Sequence, residues 1–569
     1  DWADRLDALL PQITNTYLKI TLFSYLSTHY LWRGDIGKLR RQITLMNNEL
    51  QLMAHSASPA YSLMLIYSKQ LEATCLYLAA EPEQAMRRLT EAFEIADSSG
   101  IHVWDFVLLG QAVSAAFCSS DFAVAEDFLK RMMSFSHKAS NYCISYYDHQ
   151  NAWYHFLRGN DKEALLHGEE SLRHAIASGN AFADMGSHIA MANVLFKAGE
   201  HQRALHLLAH ALQVSRRMNS KMGEFMALIS EAHFALEMGH EERCLDALRS
   251  AFSLGRETTI MHFLFWIPSR MSRLCAEALE NGIETEYVRK LIKKRGIVPD
   301  DRRLYIESWP YPVKIYTLGR FGILRDDKPI SSSGKVQKKP IEMLKILVAL
   351  GGKKVREEQL ADLLWPEAEG DAAHSSFKMT LSRLRQLLGN ENIIRLHEGQ
   401  ITLDQRYYWV DAWAFQRIVN QAEALMPGIG ERNGKREKRR RDLEEIARLT
   451  EKAISLYKGH FLSDDKDQIW TLFLRERLRS KVTSLISKTG QCCEQWGHFE
   501  KAAEYYRKGL EADNLSEEFC QRLMECYRKL GRRAEAISLY AHFTKTTEAL
   551  LGITPSKKTE TIYRSLKEN

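Results

Sequence analysis

Apolar residues recur at helical spacing throughout the first 300 residues, and the pattern of small residues between them repeats. A small residue is followed five positions later by Ala at Ala80/Ala85, Ser120/Ala125, Gly159/Ala164 and Gly199/Ala204. Gly239/Cys244 continues the series with Cys in place of Ala. The second member steps by 40, 39, 40 and 40 residues. Each step holds two amphipathic segments, as in MANVLFKAGEHQRALHLLAHALQV, so the first residue of each pair belongs in a tight turn. The second lets two helices approach closely. A period near 40 predicts a helical solenoid of the tetratricopeptide or HEAT kind over residues 1–300. LWRGDIGKLRRQI reads as an earlier, degenerate copy.

A second regularity rides on the first. Twenty-one residues past each repeat Ala or Cys stand Phe106, Tyr146, Met185, Phe225 and Phe265, with Trp104, Tyr147, Trp153 and Trp266 nearby. Two readings stay open. These side chains fill the core between repeats, or Trp104, Phe106, Tyr146, Tyr147, Phe225 and Phe265 line a groove for a ligand or peptide signal.

Pro310 and Pro312 end the helical region, and residues 301–312 read as a linker. From Val313 the period changes to two: Val313, Ile315 and Thr317 alternate with Lys314 and Tyr316, and β-type residues follow to Leu324. Three helices come next. KKPIEMLKILVALGG ends on Gly351 and Gly352, REEQLADLLWP stops at Pro366, and DAAHSSFKMTLSRLRQLLG runs from a candidate N-cap, Asp371, to Gly389. NIIRLHEGQITL then reads as a hairpin turning near Glu398–Gly399. Strands, three helices and a hairpin wing, in that order, predict a winged helix-turn-helix α/β domain over 313–410. Residues 411–569 return to helix, with Gly497/Ala502 and Gly531/Ala536 one tetratricopeptide period of 34 apart. PGIGERNGKREKRRRD, 427–442, reads as a flexible basic loop within them. The fold class expected is mainly α: a superhelix, a winged helix, and a second helical-repeat domain.

The third helix of the middle domain carries candidate chemistry. Phe377, Leu381, Leu384 and Leu388 make one apolar stripe, while Lys378, Ser382, Arg383, Gln386 and Arg385 lie toward the other side. From His374 to Gly389 the helix has no acidic residue, and a carboxylate there would repel phosphate. Arg suits bidentate contact with guanine, and Ser375 and Ser376 at the helix start suit a backbone phosphate. His374 and Met379 complete the candidate surface. The net charge is only +6, but residues 313–409 hold 16 Lys and Arg against 12 Asp and Glu, so most of the excess is local. The competing reading is a solvated basic face on a protein-interaction scaffold.

Other features narrow the function. Nine scattered Cys without zinc or C-x-x-C spacing suggest reduced thiols, a cytoplasmic protein and no metal site. No apolar run reaches membrane-spanning length. The opening DWADRLDALL, without Met and already inside an amphipathic pattern, is expected to be the interior of a longer chain. YYDHQNAWYH offers Asp148, His149 and His155, but no nucleophile motif accompanies them, so an enzyme is not expected. GERNGK, Gly430 to Lys435, lacks the spacing and context of a phosphate-binding loop, so no cofactor is expected in this chain.

The segment LADLLWPEAEGDAAHSSFKMTLSRLRQLLG…IIRLHEGQITLD resembles the OmpR/PhoB-type winged helix, in the version found in Streptomyces antibiotic regulatory proteins. The residues after it resemble the bacterial transcriptional activator domain that accompanies it there, matching at Tyr457, Gly459, Phe461, Trp470, Arg477, Gly497, Ala502, Gly531, Ala536, Tyr540, Leu551, Gly552 and Pro555. The resemblance implies a nucleoid-associated activator that binds direct repeats of double-stranded DNA near a promoter as a dimer and recruits RNA polymerase. It implies that Arg383 reads bases, Arg385 holds phosphate, Trp365 packs on the DNA backbone, and Arg395, His397 and Gln400 of the wing reach the minor groove. Glu398 at the wing tip departs from the family. Residues 1–300 more loosely resemble the superhelical sensor of maltose-regulator-type activators, which implies an ATP-binding domain upstream of Asp1.

Overall fold

The computed structural model describes residues 2–53, 58–135, 140–330, 338–367, 370–389, 391–427, 436–465 and 468–568. It divides into two compact units, Asp1–Asp300 and Asp301–Asn569.

The first unit is a run of antiparallel helix pairs. They are Thr16–Arg33 with Ile36–Leu52, Pro59–Leu78 with Pro82–Ser99, Asp105–Ser119 with Phe122–Met133, Asn141–Arg158 with Asp161–Ser178, Ala181–Lys197 with His201–Arg217, and Lys221–Glu237 with Glu241–Thr258. The five-residue sequence signature has a direct structural cause. Ala80, Ser120, Gly159, Gly199 and Gly239 all adopt the left-handed conformation, with φ of 60°, 61°, 76°, 86° and 73°. That conformation turns the chain back after each first helix. Ala85, Ala125, Ala164, Ala204 and Cys244 sit where the second helix meets the first, and each is fully buried. Gly34, φ 79°, makes the same turn in the degenerate first pair.

The superhelix winds far enough to touch itself. Ser220 Oγ donates to Trp32 O at 2.7 Å, and Trp32 stacks on Phe182 at 6.1 Å. A Cβ at Gly34 would stand 2.8 Å from Met222 N, so the first turn and the sixth pair meet closely. The segment after the last pair also folds back, with the amides of Met261 and His262 donating to Leu78 O at 2.8 and 3.0 Å. The inner helices therefore surround an interior space.

The second unit opens with residues 301–312, expected as a linker. Tyr305, Trp309 and Tyr311 are buried, and Trp409 Nε1 donates to Tyr305 O at 3.0 Å, so this segment is part of the unit's core. Strands β1 (Val313–Tyr316), β2 (Gly322–Arg325) and β3 (Lys328–Pro329) join β7 (Tyr408–Val410) in the order β3-β2-β1-β7, with β1 and β7 parallel. The expected alternation holds at Val313 and Ile315 of β1 and at Thr317 just after it, but Lys314 is also buried, where Asp327 pairs with it at 2.8 Å. Three helices follow, Lys338–Ala349, Glu357–Leu364 and Gly370–Leu388. A second sheet of β4 (Val355–Arg356), β5 (Ile394–His397) and β6 (Gln400–Leu403) has the order β4-β6-β5.

The C-terminal helices begin at Asp411–Leu425 and end at Lys557–Glu568. Their anchor is Asp411, whose carboxylate accepts from the amides of Thr317, Leu318 and Ala412 and from Thr317 Oγ1 at 2.6–2.8 Å. The segment around Gly459 runs against the β1–β2 turn: Leu462 N donates to Thr317 O at 2.8 Å, and Gly319 N to His460 O at 3.1 Å. Lys345 of the first of the three helices pairs with Asp465 at 2.6 Å. Gly497 and Gly531 take the left-handed turn and Ala502 and Ala536 are fully buried, repeating the logic of the first unit. One expectation needs correction. Of the basic loop 427–442, residues 428–435, including all of GERNGK, lie outside the described residues, and Arg436 onward is helix, Arg436–Leu456. The Glu-rich continuation after Arg441 supplies i,i+4 partners such as Arg440–Glu444, which favour helix over loop.

Candidate nucleic-acid interface

The helix Gly370–Leu388 is held by one stripe: Phe377, Leu381, Leu384 and Leu388 are all buried, with Ala373 and Thr380 beside them. Asp371, expected as the N-cap, lies inside the first turn, where a carboxylate complements the helix dipole. Gly389, φ 76°, ends the helix, and Arg325 Nη1 donates to Leu387 O at 3.1 Å near that end.

The opposite face carries His374, Ser375, Lys378, Met379, Ser382, Arg383 and Gln386, all exposed, and Ser376, half-buried. These positions advance by three or four along the helix and so form one surface. Past Asp371 that surface holds no carboxylate of its own. One neighbour qualifies this: Glu357, at the start of the second helix, hydrogen-bonds His374 Nδ1 and brings a carboxylate to the N-terminal edge.

Arg385 is placed differently from Arg383. Its Nη2 and Nε donate to Ile394 O at 2.8 and 3.2 Å, so it ties the helix to the start of β5. Its position on the buried side of the polar face puts it within reach of that carbonyl. Arg395, expected in the minor groove, instead pairs with Asp404 at 2.7 Å, and Asp404 also holds Arg406 at 2.6 Å. Arg406 and Arg395 together keep the Asp404 carboxyl below its ordinary range. Trp365 follows the last turn of the second helix and is half-buried; its amide donates to Ala361 O at 2.8 Å.

The wing turns through Glu398 and Gly399, with φ of 50° and 69°, the two-residue turn that suits a twisted hairpin. His397 and Glu398 are the most exposed of these side chains, and Gln400 faces His397 across the hairpin. Sequence reasoning missed three cations beside the wing. Lys353, Lys354 and Arg356 are exposed on or next to β4, and Arg356 pairs in register with Gln400. The signal was present in GGKKVREE, but only strand pairing brings it alongside the hairpin.

In the first unit, Trp104, Tyr146 and Phe265 line an interior cavity of about 350 Å³. Phe106 and Tyr147 are half-buried outside that lining, and Phe225 is core, edge-on to Phe263 at 5.3 Å. The three residues considered for catalysis diverge. Asp148 bonds His167 at 2.8 Å, His155 stacks on His167 at 5.6 Å, and His149 faces the cavity. Asp184, His188 and His210 cluster closely enough to hold a cation, a group no sequence spacing suggested. Asp184 already partners both imidazoles at 3.0 Å, which accounts for the cluster without an ion.

Residues 429–567 match the bacterial transcriptional activator domain. This domain comprises most of the C-terminal helices described above and excludes the sheets and the three helices before them. No curated protein matches the chain. Among solved structures, Mycobacterium tuberculosis EmbR in complex with a low-affinity phosphopeptide is similar at 18% identity, over 45% of this chain and 65% of that one, with a TM-score of 0.34. A Rap protein complexed with Competence and Sporulation Factor is similar at 9% identity, over 89% and 99%, with a TM-score of 0.35. Apo NprR from B. thuringiensis is similar at 11% identity, over 88% and 98%, with a TM-score of 0.25. These likenesses are too weak to carry an argument. Among the described residues no helix is long and apolar enough to cross a membrane.

Proposed function

We propose that this protein is a sequence-specific DNA-binding transcriptional activator. Its winged helix-turn-helix would bind double-stranded DNA at direct repeats near a promoter, its activator domain would help two copies dock and recruit RNA polymerase, and its helical repeats would respond to a signal. No step of this reading needs a bound nucleotide, a metal or an enzymatic reaction, and it belongs in the bacterial cytoplasm. The observation that carries it is the exposed basic face of the helix Gly370–Leu388, free of carboxylates past Asp371, presented on a three-helix core beside a basic strand and wing. The adjoining bacterial transcriptional activator domain supports the same reading.

The geometry supports a division of roles. Arg383, exposed at the centre of the face, is the base reader; Ser375, Lys378, Lys354 and Arg356 are phosphate contacts. Arg385 and Arg395 are assigned to holding the helix and wing in place, through Ile394 O and Asp404. Selection from a random DNA pool by the 569-residue chain tests this. A short motif that Arg383→Ala relaxes at a cost of ~1–3 kcal/mol supports base readout. Steep salt dependence with no motif would leave only phosphate attraction and favour a protein-interaction scaffold.

A further inference from the structure

The repeat unit encloses a cavity whose chemistry is unusually uniform. Its wall comes from the first helix of all six pairs and from the returning segment at Phe263–Phe265. Among the described residues no Asp, Glu, Lys or Arg lines it, and His149 is the one ionisable base in the wall. His149 is buried, and burial pulls its pKa down to about 4, so it is neutral near pH 7. A charged ligand entering here would lose its hydration and meet no counter-charge. The apolar wall combines aromatic faces, Trp104, Tyr146 and Phe265, with the adaptable side chains of Met185, Met222 and Met226.

Several hydroxyls of the wall bond within the protein. Ser145 Oγ bonds Ser171 O at 2.9 Å and Ser187 Oγ at 3.2 Å, Thr74 Oγ1 bonds Gln70 O at 2.9 Å, and Thr28 bonds Tyr67. Three other groups are buried without a partner: Gln150 Oε1, Gln111 Oε1 and Trp104 Nε1. Gln150 is 0% exposed, and its Nε2 is fixed on Ser114 Oγ at 3.1 Å and Gly110 O at 3.3 Å. Buried acceptors without donors are costly, so a guest donor that reaches them is favoured. The wall is mostly apolar, so the many hydroxyls of a polyol would go unpaired.

We propose that this cavity binds a neutral, flat, largely apolar small molecule bearing at least one N–H or O–H donor, recognised by Gln111 and Gln150 between the aromatic walls. Binding stands apart from the DNA-binding assignment; only the ligand's role as the signal rests on that reading. The volume, about 350 Å³, lies at the small end of ligand sites and suits a fused or linked pair of rings.

The test uses the full chain and two matched fluorescent probes. N-phenyl-1-naphthylamine is neutral and carries one N–H; 8-anilino-1-naphthalenesulfonate has the same rings plus a sulfonate. The expected result is saturable binding of one neutral probe per chain, at least tenfold tighter than the anion. Ala183→Trp, which fills the cavity from its wall, should abolish it, and Gln111→Leu should weaken it about tenfold. Circular dichroism and melting checks that both variants fold. No saturable binding of the neutral probe, equal affinity for the anion, or unchanged binding by folded Ala183→Trp would each overturn the proposal. DNA selection is read separately, so failure here leaves the DNA assignment standing.

Discussion

Arg383 and Arg385 stand two positions apart on one helix, yet the first is exposed and the second is tied to Ile394 O, and a crossed pair of substitutions separates the roles proposed for them. Arg385→Ala removes two hydrogen bonds from a charged donor to Ile394 O, at 2.8 and 3.2 Å. Bonds to charged groups contribute about 1.5–3 kcal/mol. Both share one acceptor and the side chain is half-buried, so roughly 2 kcal/mol is expected for the pair. In a unit of this size that lowers the melting temperature by roughly 4–8 °C. Arg385→Lys should recover little, because an ammonium cannot reproduce the planar fork. Arg383→Ala, on the exposed face, should change stability by no more than about 0.5 kcal/mol while weakening a preferred DNA site by ~1–3 kcal/mol. Calorimetry of the full chain and titration of the selected site give the two readouts. If Arg385→Ala melted as wild type and lost DNA binding selectively, the assignment of a structural role would be refuted. If Arg383→Ala bound the selected site unchanged, the base-reading role would fall.

Other expectations concern the repeat unit and the wing. Gly34→Ala places a Cβ 2.8 Å from Met222 N at φ 79°, so it should destabilise the first unit by at least about 2 kcal/mol in urea unfolding and speed its proteolysis. Ala80→Gly relieves a φ of 60°, and after the entropy cost of Gly it should stabilise by about 0.5–1 kcal/mol by the same measurement. Burial lowers His149 to about 4 and His233 to about 3, and holds His262 well below its ordinary value. The unfolded chain therefore binds more protons below about pH 6.5. Stability of the first unit should be full above that pH and fall as pH drops from 6.5 toward 4, and His149→Phe should flatten the fall; unfolding curves from pH 7.5 to 4.5 check this.

Much of the architecture was legible because it rests on local rules. A left-handed turn needs a small residue, and a close helix crossing needs Ala or Cys, so the pairs from Ala80/Ala85 to Gly239/Cys244 announced both turn and contact. The polar and apolar faces of the helix at 370–388 followed from its 3.6-residue period alone. The wing turn at Glu398–Gly399 was readable as well. What the sequence hides is distance. Arg385 and Arg395 read as free cations near the expected groove, and nothing local reveals that Ile394 O and Asp404 are their partners in the folded chain. The basic run Lys438–Arg441 looked like loop because its charge was weighed without its later Glu partners.

The sequence by itself determined the order of elements, the repeat period, the turn positions and the side of each helix that faces a core, since each depends on neighbours within a turn or two of chain. Only the tertiary structure decided which side chains are left over for function. It turned the superhelix back until Trp32 met Ser220, enclosing a cavity whose lining residues lie more than two hundred positions apart. It also committed Arg385 and Arg395 to the protein while leaving Arg383 in solvent. The physical reason is the same in each case. Helix and turn preferences are short-range, whereas burial and hydrogen-bond pairing join residues that the chain keeps apart until it folds.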